Sequence, residues 1–375
     1  MKKLLFVSPV FPDPNGAGRE KRAYQWVMKL QQEYEVHVLV IRPDGQGREV
    51  AELDIRSATV IPRRKTNKLS SLLEFGWVPL TRADKERLER YYGHVRFDTI
   101  FCFRLYLQDY ASILASLTRC GSLELDMDDL ESSTHLKIAH LFRKHGHIRR
   151  AVTSYLAALL FRRKESRIGA EYRRVYLCSD EDKASLSRRL PHEDIQVMPN
   201  RMAGVPGNLL LPDDPYQLLF VGSLDYYPNE EAVTWFIQKV LSALRRRDSR
   251  WTLHVVGFTS KSGFKDFLSR ADGVLYHGRV ENLDAVYSGA YQIISPLHAG
   301  GGTKLKILEA MWYGRPIIAT HESVYGLGLT PDKHYLPAED AEQFAAACER
   351  LAVDAELART LIRYSGEILL EKYHF

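Results

Sequence analysis

The sequence predicts an α/β protein with two doubly wound, Rossmann-like domains, each built on a parallel sheet. Short apolar runs alternate with amphipathic helical stretches through both halves of the chain, which is typical of parallel strands covered by helices on both faces. The length of 375 residues exceeds the usual size of one hydrophobic core. Residues 199–215 are rich in proline and glycine and lack periodicity, so we place the domains at residues 1–205 and 206–375.

Apolar runs mark the strands of both domains. Those of the first domain are residues 4–7, 35–41, 99–103, 122–126, 174–178 and 196–198, with a helix predicted over residues 19–32. Those of the second are residues 217–221, 252–256, 274–276, 292–294 and 316–319, with a helix over residues 229–246. Ligands of open parallel sheets bind beyond the carboxyl ends of the strands, so two such domains predict a cleft that closes between them.

Charge and composition narrow the function classes. Residues 1–205 carry 35 Lys and Arg against 26 Asp and Glu, a net charge of +9, whereas the remainder carries 17 against 21, a net charge of −4. A basic first domain favours an anionic surface, and the absence of RNA-binding signatures favours membrane over nucleic acid. Four scattered cysteines and the lack of a spanning apolar stretch indicate a cytoplasmic protein.

The string from Ser295 to Thr320 is the most informative motif. Gly300, Gly301 and Gly302 let backbone amides approach an anion, and a helix predicted to open at Thr303 directs its free amides there. The ammonium groups of Lys304 and Lys306 add positive charge, and the carboxylate of Glu309 suits a ribose diol. The string therefore predicts a nucleotide-diphosphate pocket, with a solvated loop as the alternative.

A second candidate turn joins the first strand to the first helix. Gly16 and Gly18 allow backbone amides to approach an anion, and Arg19 opens a helix where a cation is unfavourable without a nearby anion. These residues are candidate phosphate or acceptor contacts, with a simple strand-to-helix turn as the alternative.

With these strings, the order of several segments resembles family 4 glycosyltransferases (glycosyl transferases group 1) of GT-B fold over nearly the whole chain. The segments are Ser8 to Gly18, Phe220 to Asn229, Leu125 to Ser132, Val197 to Asn200 and Tyr276 to Val280. The resemblance implies transfer of a hexosyl-type sugar from a nucleotide-diphosphate donor, with retention of configuration and without cofactor or metal. The acceptor would be a glycan or a lipid-linked glycan in surface polysaccharide or glycoconjugate synthesis.

The resemblance also implies residue roles. Glu309 matches the second glutamate of the family's paired-glutamate motif and would hold the ribose, while Lys304 and Lys306 would neutralise the diphosphate. Arg279 and Val280 would border the nucleobase. Gly301 stands eight residues before Glu309, where the family's first glutamate is expected, so backbone amides and His298 would bind the sugar hydroxyls instead.

Asp126-Met127-Asp128 spells a D-x-D pattern that can ligate a divalent metal. We do not interpret it as a metal site, because these aspartates end a strand in the basic domain, away from the diphosphate loop. Asp126 or Asp128 would instead face the acceptor hydroxyl as a base or orienting group, with loop or helix capping as the alternative.

Residues 140–174 combine many basic residues with apolar residues at helical spacing. The apolar residues are Val152, Tyr155, Leu156, Leu159 and Leu160, which fall on one stripe. One hypothesis is peripheral contact with the anionic inner face of the membrane. The alternative is a helix whose apolar stripe packs on the sheet while its charges are solvated.

Two rival functions share this architecture. A non-catalytic nucleotide- or sugar-binding protein is suggested by Gly301 in the glutamate position, and a nucleotide-sugar epimerase has a similar two-domain build. An NAD-dependent oxidoreductase is disfavoured, because the first turn lacks G-x-G-x-x-G.

Overall fold

Each half of the chain folds around a fully parallel sheet. The computed structural model describes residues 1–42, 53–62, 80–190, 194–204, 206, 210–280 and 282–375. Within these ranges the chain forms two units, Met1–Met198 and Pro199–Phe375. Met202 accepts a hydrogen bond from the Phe375 amide and donates one to the Tyr373 carbonyl oxygen, so it belongs to the second unit although it precedes residue 205.

In the described part of the first unit, seven strands pair in the order β3-β2-β1-β4-β5-β6-β7. They are β1 (Lys2–Ser8), β2 (Tyr34–Arg42), β3 (Ile55–Pro62), β4 (Thr99–Phe103), β5 (Ser122–Asp128), β6 (Arg174–Leu177) and β7 (Ile195–Val197). The helices are α1 (Gly18–Leu30), α2 (Arg82–Tyr92), α3 (Gln108–Thr118), α4 (Glu131–Lys144), α5 (Ile148–Glu165), α6 (Ile168–Glu171) and α7 (Asp180–Ser187).

Burial on both faces of the sheet explains why the strands are nearly continuous apolar runs. In β1, Leu5 and Val7 belong to one hydrophobic cluster, whereas Leu4 and Phe6 belong to another. Successive side chains of a strand point to opposite faces, so these two clusters lie on opposite sides of the sheet. The first unit is therefore doubly wound, as the sequence predicts.

The described second unit contains six strands in the order β10-β9-β8-β11-β12-β13. They are β8 (Gln217–Val221), β9 (Thr252–Val256), β10 (Val274–Gly278), β11 (Gln292–Ser295), β12 (Ile317–Ala319) and β13 (Leu336–Pro337). The helices are α8 (Tyr227–Trp235), α9 (Ser242–Arg247), α10 (Ser262–Arg270), α11 (Asp284–Gly289), α12 (Leu305–Trp312), α13 (His321–Val324), α14 (Ala341–Val353) and α15 (Ala355–Lys372).

The predicted two-sheet α/β architecture is confirmed, whereas several details differ. The sequence did not predict β3 or β13, which lie at sheet edges. The helix predicted over residues 229–246 is interrupted by a π-helical turn, Phe236–Leu241. Strand β5 extends to Asp128, past the predicted end at residue 126.

The aromatic cluster around Trp26 generates a stability prediction for the first unit. The Trp26 ring centroid lies 4.6 Å from those of Phe101 and Tyr176. Trp26→Ala should lower the free energy of unfolding by about 3–5 kcal/mol, because it leaves a cavity in this cluster. Chemical denaturation measures the loss, and Val353→Ala, at a residue 83% exposed, is the control that should leave stability unchanged. Equal stability of both variants would contradict the packing described.

Candidate functional site

The loops that follow β8 and β9 lie against each other at the carboxyl edge of the second sheet. A Cβ atom on Gly257 would lie 1.8 Å from the backbone oxygen of Gly222, so only glycine permits this approach. The Asp225 carboxylate accepts hydrogen bonds from the Ser260 amide, at 2.8 Å, and from the Thr259 hydroxyl, at 3.1 Å. These contacts fix two loops of the edge where ligands of parallel sheets bind.

The glycine loop, residues 300–302, connects β11 to α12 at the same edge. Gly302 has a φ of 58°, in the left-handed region that favours glycine. The helix begins at Leu305 rather than at the predicted Thr303, and the N-cap residue Lys304 makes no side-chain cap hydrogen bond. The first amides of a helix have no intrahelical partner, so this end of α12 has the chemistry of an anion site.

Lys304 is folded back over the glycine loop. Its Nζ donates a hydrogen bond to the Gly302 carbonyl oxygen at 2.8 Å and lies 3.5 Å from Glu322 Oε1. The side chain is buried, and a Cβ atom on Gly300 would lie 3.3 Å from its Cε atom. The loop therefore holds the positive charge of Lys304 beside its own backbone.

Lys306 supplies a second cation at the start of α12. Its Nζ donates to Asn229 Oδ1 at 2.8 Å and lies 4.1 Å from the ring centroid of Phe220. Desolvation by burial, followed by the charge of Lys304, lowers the pKa of Lys306 to about 7, while Glu309 opposes the shift. An anion bound here would stabilise the charged form of Lys306.

Glu309 is buried on the same helix. Tyr287 donates its hydroxyl proton toward Glu309 Oε2 at 3.4 Å, and the Tyr287 ring stacks on Tyr313 with centroids 4.4 Å apart. Burial and the Glu309 charge raise the pKa of Tyr287 well above its ordinary value, so this hydroxyl stays protonated. The carboxylate is thereby fixed in the helix that begins at the glycine loop.

Side chains from other segments hold the two ends of the glycine loop. His298 Nδ1 lies 3.1 Å from Glu231 Oε2, and its ring packs edge-to-face on Trp235 with centroids 5.1 Å apart. At the other end, Asn200 donates to the Thr303 hydroxyl at 2.8 Å. The orientation of His298 is therefore set by helix α8.

Arg279 and Val280 directly follow β10 at the carboxyl edge. Gly278, which precedes them, has a φ of 68°, and the chain turns there. The Arg279 side chain is exposed, whereas Val280 packs against a core cluster of the unit. The structure thus places both residues at the edge that carries the glycine loop.

In the first unit, the side chain of Glu20 of α1 fills the predicted turn around Gly16 and Gly18. Glu20 Oε2 accepts a hydrogen bond from the Ala17 amide at 2.6 Å, and a Cβ atom on Gly16 would lie 2.5 Å from the Cβ of Glu20. Gly18 is the first residue of α1. Arg19 lies over the ring of Tyr106, 5.9 Å from its centroid. The Ala17 amide of this turn therefore already donates its hydrogen bond to the Glu20 carboxylate.

Asp126 is fully buried in a bidentate ion pair. Arg22 donates from Nε and from Nη2 to the two carboxylate oxygens of Asp126, each at 2.7 Å, and from Nη1 to the Met198 carbonyl oxygen. Burial raises the pKa of Asp126, and Arg22 opposes the rise. Both oxygens of Asp126 are thus engaged by an arginine of α1.

A second buried arginine pairs with Asp128. Arg104 and Asp128 both have positive φ, 87° and 64°, and Arg104 Nη1 donates to Asp128 Oδ2 at 2.5 Å. Arg104 Nη2 donates to Glu131 Oε1 at 3.0 Å. Burial favours a higher pKa for Asp128, but the charges of Arg22 and Arg104 outweigh burial and lower this pKa. Burial raises the pKa of Glu131 to about 7. Strained residues with perturbed pKa values cluster at functional sites.

Several of these residues were not singled out by the sequence. Asn229 is the last residue of the segment Phe220 to Asn229, which resembles a family 4 glycosyltransferase segment, so the sequence did contain a signal for it. Glu131 lies in the segment Leu125 to Ser132, which also carried the resemblance. Arg104 and Glu231 have no local signal, because their partners lie elsewhere in the chain.

Several known proteins resemble this chain in sequence or in fold. Residues 215–354 match the family model Glycosyl transferases group 1. A Klebsiella pneumoniae protein called "Uncharacterized 44.6 kDa protein in cps region" is 24% identical over 292 residues, which cover 74% of this chain and 70% of that protein. The sucrose-phosphate synthase of Thermosynechococcus elongatus has a similar structure, with a TM-score of 0.69 and 18% identity. That match covers 100% of this chain and 95% of the synthase chain. The structure of Anabaena Alr3699/HepE with UDP and glucose is also similar, with a TM-score of 0.67 and 12% identity. That match covers 100% of this chain and 96% of the Anabaena chain.

At these identities the structural matches show the fold, and the family model covers most of the unit that carries the glycine loop. Residues 215–354 are therefore similar to the group 1 glycosyltransferases, and the chain has the GT-B fold of these solved structures.

Two features are absent from the described ranges. No helix there is both long and apolar enough to cross a bilayer. No group of three or more His, Cys, Asp or Glu side chains there is arranged to hold a metal ion.

The Arg22–Asp126 pair generates a prediction that separates structure from chemistry. Asp126→Asn should lower the free energy of unfolding by roughly 3 kcal/mol or more, because it removes one partner of a buried ion pair. Glu86→Gln, which breaks the exposed pair with Arg82, is the matched control and should cost less than about 1 kcal/mol. Chemical denaturation compares them. An unchanged stability for Asp126→Asn would contradict a structural role for this pair.

The pKa of Lys306 predicts a pH dependence of stability. Between pH about 7, the folded pKa, and about 10.5, the ordinary value, the unfolded chain binds a proton that the folded chain does not. This residue therefore makes stability rise with pH over that window and destabilises the fold fully below it. Lys306→Met should be more stable than the wild type at pH 6, and the difference should shrink toward pH 10. Parallel curves for the two proteins would overturn the assignment.

Proposed function

We propose that the protein is a retaining family 4 enzyme that transfers a hexosyl-type sugar from a nucleotide-diphosphate donor to a glycan or lipid-linked acceptor. The observation that carries the proposal is the glycine loop followed by Lys304, Lys306 and buried Glu309 at the start of one helix. The UDP and glucose in the Anabaena structure support this donor class, and the cps-region relative supports surface polysaccharide synthesis.

In this proposal the second unit binds the donor. Backbone amides of the loop and of the first turn of α12 bind the diphosphate, and Glu309 accepts hydrogen bonds from the ribose hydroxyls. Arg279 and Val280 border the base. His298, oriented by Glu231, reaches a sugar hydroxyl together with amides of the glycine loop.

Lys304 and Lys306 are the groups that favour the reaction. The bond between the sugar C1 and the diphosphate oxygen breaks, a bond from C1 to the acceptor oxygen forms on the same face, and the departing phosphate takes the acceptor proton. Negative charge grows on the diphosphate as its bond breaks. The ammonium group of Lys304, and that of Lys306 once the bound diphosphate favours its charged form, stabilise the transition state. These two lysines supply the positive charge that a metal ion provides in other transferases, so the proposed reaction is metal-independent.

The first unit would supply the acceptor side. Arg19 beside Tyr106, and the strained pair of Arg104 and Asp128 with Glu131, offer charged groups at the carboxyl edge of its sheet. Asp126 would orient Arg22 rather than contact the acceptor, because Arg22 engages both of its oxygens. Gly16 and Gly18 would shape the turn beside Arg19. The proposed location is the cytoplasm, with peripheral contact with the membrane through residues 140–174.

A nucleotide-binding experiment tests the donor site. Bound nucleotide diphosphates should raise the melting temperature of the wild type. Glu309→Ala should weaken that binding roughly ten- to a hundredfold, the loss of hydrogen bonds to a charged group of about 1.5–3 kcal/mol. Lys304→Ala should lower turnover more than binding. Glu356→Ala, an exposed glutamate of the same unit, is the control.

The outcomes separate the rival functions. Nucleotide binding that Glu309→Ala weakens by this amount, together with sugar transfer to a lipid-linked acceptor, supports the proposal. Tight nucleotide binding without transfer indicates a non-catalytic binding protein, and isomerisation or hydrolysis of the donor without an acceptor indicates an epimerase. Wild-type affinity and turnover in both site variants would show that the donor site is elsewhere.

A further inference from the structure

Helix α5 buries small residues and exposes large apolar ones, whereas an ordinary surface helix buries its large apolar residues. Its buried face consists largely of small residues, Ala151, Ser154, Ala157 and Ala158, with Phe161. Its large apolar residues are 45–59% exposed: Ile148, Val152, Tyr155, Leu156, Leu159 and Leu160. A surface helix normally buries its large apolar face, and single exposed apolar residues are common, but six on one helix form a patch that indicates a contact.

The small residues explain why this stripe faces outward. Helix α5 packs along α4, and small side chains let the two backbones approach closely. His135 of α4 stacks on Phe161 of α5, with ring centroids 5.2 Å apart. Ser132 donates from its amide and hydroxyl to Glu165, at 3.0 and 2.6 Å. The contacts that anchor α5 are thus made by the inward face, and the large stripe is not needed for them.

Positive charge lies at both ends of the stripe. Arg149 and Arg150 are in the first turn of α5, and Arg162 and Arg163 are in its last turn, where Lys164 pairs with Asp109 at 3.3 Å. The one acidic residue of the helix, Glu165, is buried and binds Ser132, so it adds no negative charge to the outer surface. The exposed tip of the helical hairpin adds Arg143 and Lys144.

We propose that the outward face of α5, with the basic residues at its two ends, docks on an anionic phospholipid surface. The apolar stripe would enter the interfacial layer, while the arginines at its ends bind lipid phosphates. Charge complementarity favours this occupant over a second copy, because two such faces would bring like charges together. The inference gives the lipid-linked acceptor of the proposed function a physical location and rests on that function for its purpose, but its test requires no transfer activity.

Sedimentation of the full chain with vesicles tests the docking face. Vesicles of phosphatidylcholine alone are compared with vesicles that also contain phosphatidylglycerol. The wild type should bind the anionic vesicles at least about tenfold more tightly, and added salt should reduce the difference because it screens charge.

Two variants divide the surface into its apolar and charged parts. Val152→Ser/Leu156→Ser/Leu159→Ser should reduce vesicle binding about tenfold or more, whereas the control Leu210→Ser/Val353→Ser/Leu370→Ser removes exposed apolar residues of the second unit and should not. Arg149→Glu/Arg162→Glu/Arg163→Glu should reduce binding about a hundredfold. Its control, Arg246→Glu/Arg270→Glu/Arg350→Glu, changes the net charge equally and should retain most binding.

Melting temperature and nucleotide response are measured on the same samples. The stripe variant should melt at the wild-type temperature, because it alters only exposed positions, and the charge variant provides an independent test if it does not. The proposal is overturned if the wild type does not prefer anionic vesicles, if each variant binds like its control, or if the stripe variant instead dissociates a dimer. A lost nucleotide response with intact vesicle binding would count against the donor site alone, and the reverse would count against the docking face alone.

Discussion

Strands that are buried on both faces leave only the ends of a sheet to carry polar chemistry, and this constraint governs both units. Because every pairing within the two sheets is parallel, the carboxyl ends of all strands in a sheet lie at one edge. The glycine loop and its lysines follow β11, and the arginine–carboxylate cluster follows β4 and β5. In each unit the apolar interior therefore concentrates charge at a single edge.

The two edges handle charge differently. In the first unit, Arg22 and Arg104 pair with carboxylates within hydrogen-bond distance, so the buried charges largely offset one another. In the second unit, Lys304 lies 3.5 Å from the Glu322 carboxylate, whereas Lys306 is desolvated beside Lys304 and hydrogen-bonds the neutral Asn229. Keeping Lys306 charged in this environment costs free energy, and in the proposed function a bound diphosphate would offset that cost. This contrast is the physical reason that the proposed donor site lies in the second unit.

Helix α5 illustrates how a surface can be free to serve a partner. Its small residues make the contacts with α4, and Glu165 is anchored by Ser132, so the fold does not need the large apolar side chains. A hydrophobic stripe at helical spacing is ordinarily the inward face of a helix. In α5 the large apolar residues with this spacing lie on the outer face, as the proposed docking on a membrane requires.

The sequence by itself determined the architecture and the position of the glycine–lysine string. Apolar runs predicted most strands because burial on both faces is a local property of residue type, and the glycine–lysine string was visible because its members are neighbours in the chain. Edge strands β3 and β13 were missed, since one is partly exposed and the other is very short.

Only the tertiary structure decided which distant residues meet. Arg22 and Asp126 are 104 positions apart, and Asn229 and Lys306 are 77 apart, so no local pattern reveals either contact. The tertiary structure also decided which face of α5 is buried, because spacing fixes that a stripe exists whereas packing against α4 fixes its direction. Pairing and orientation depend on chain topology, which no local window of sequence contains.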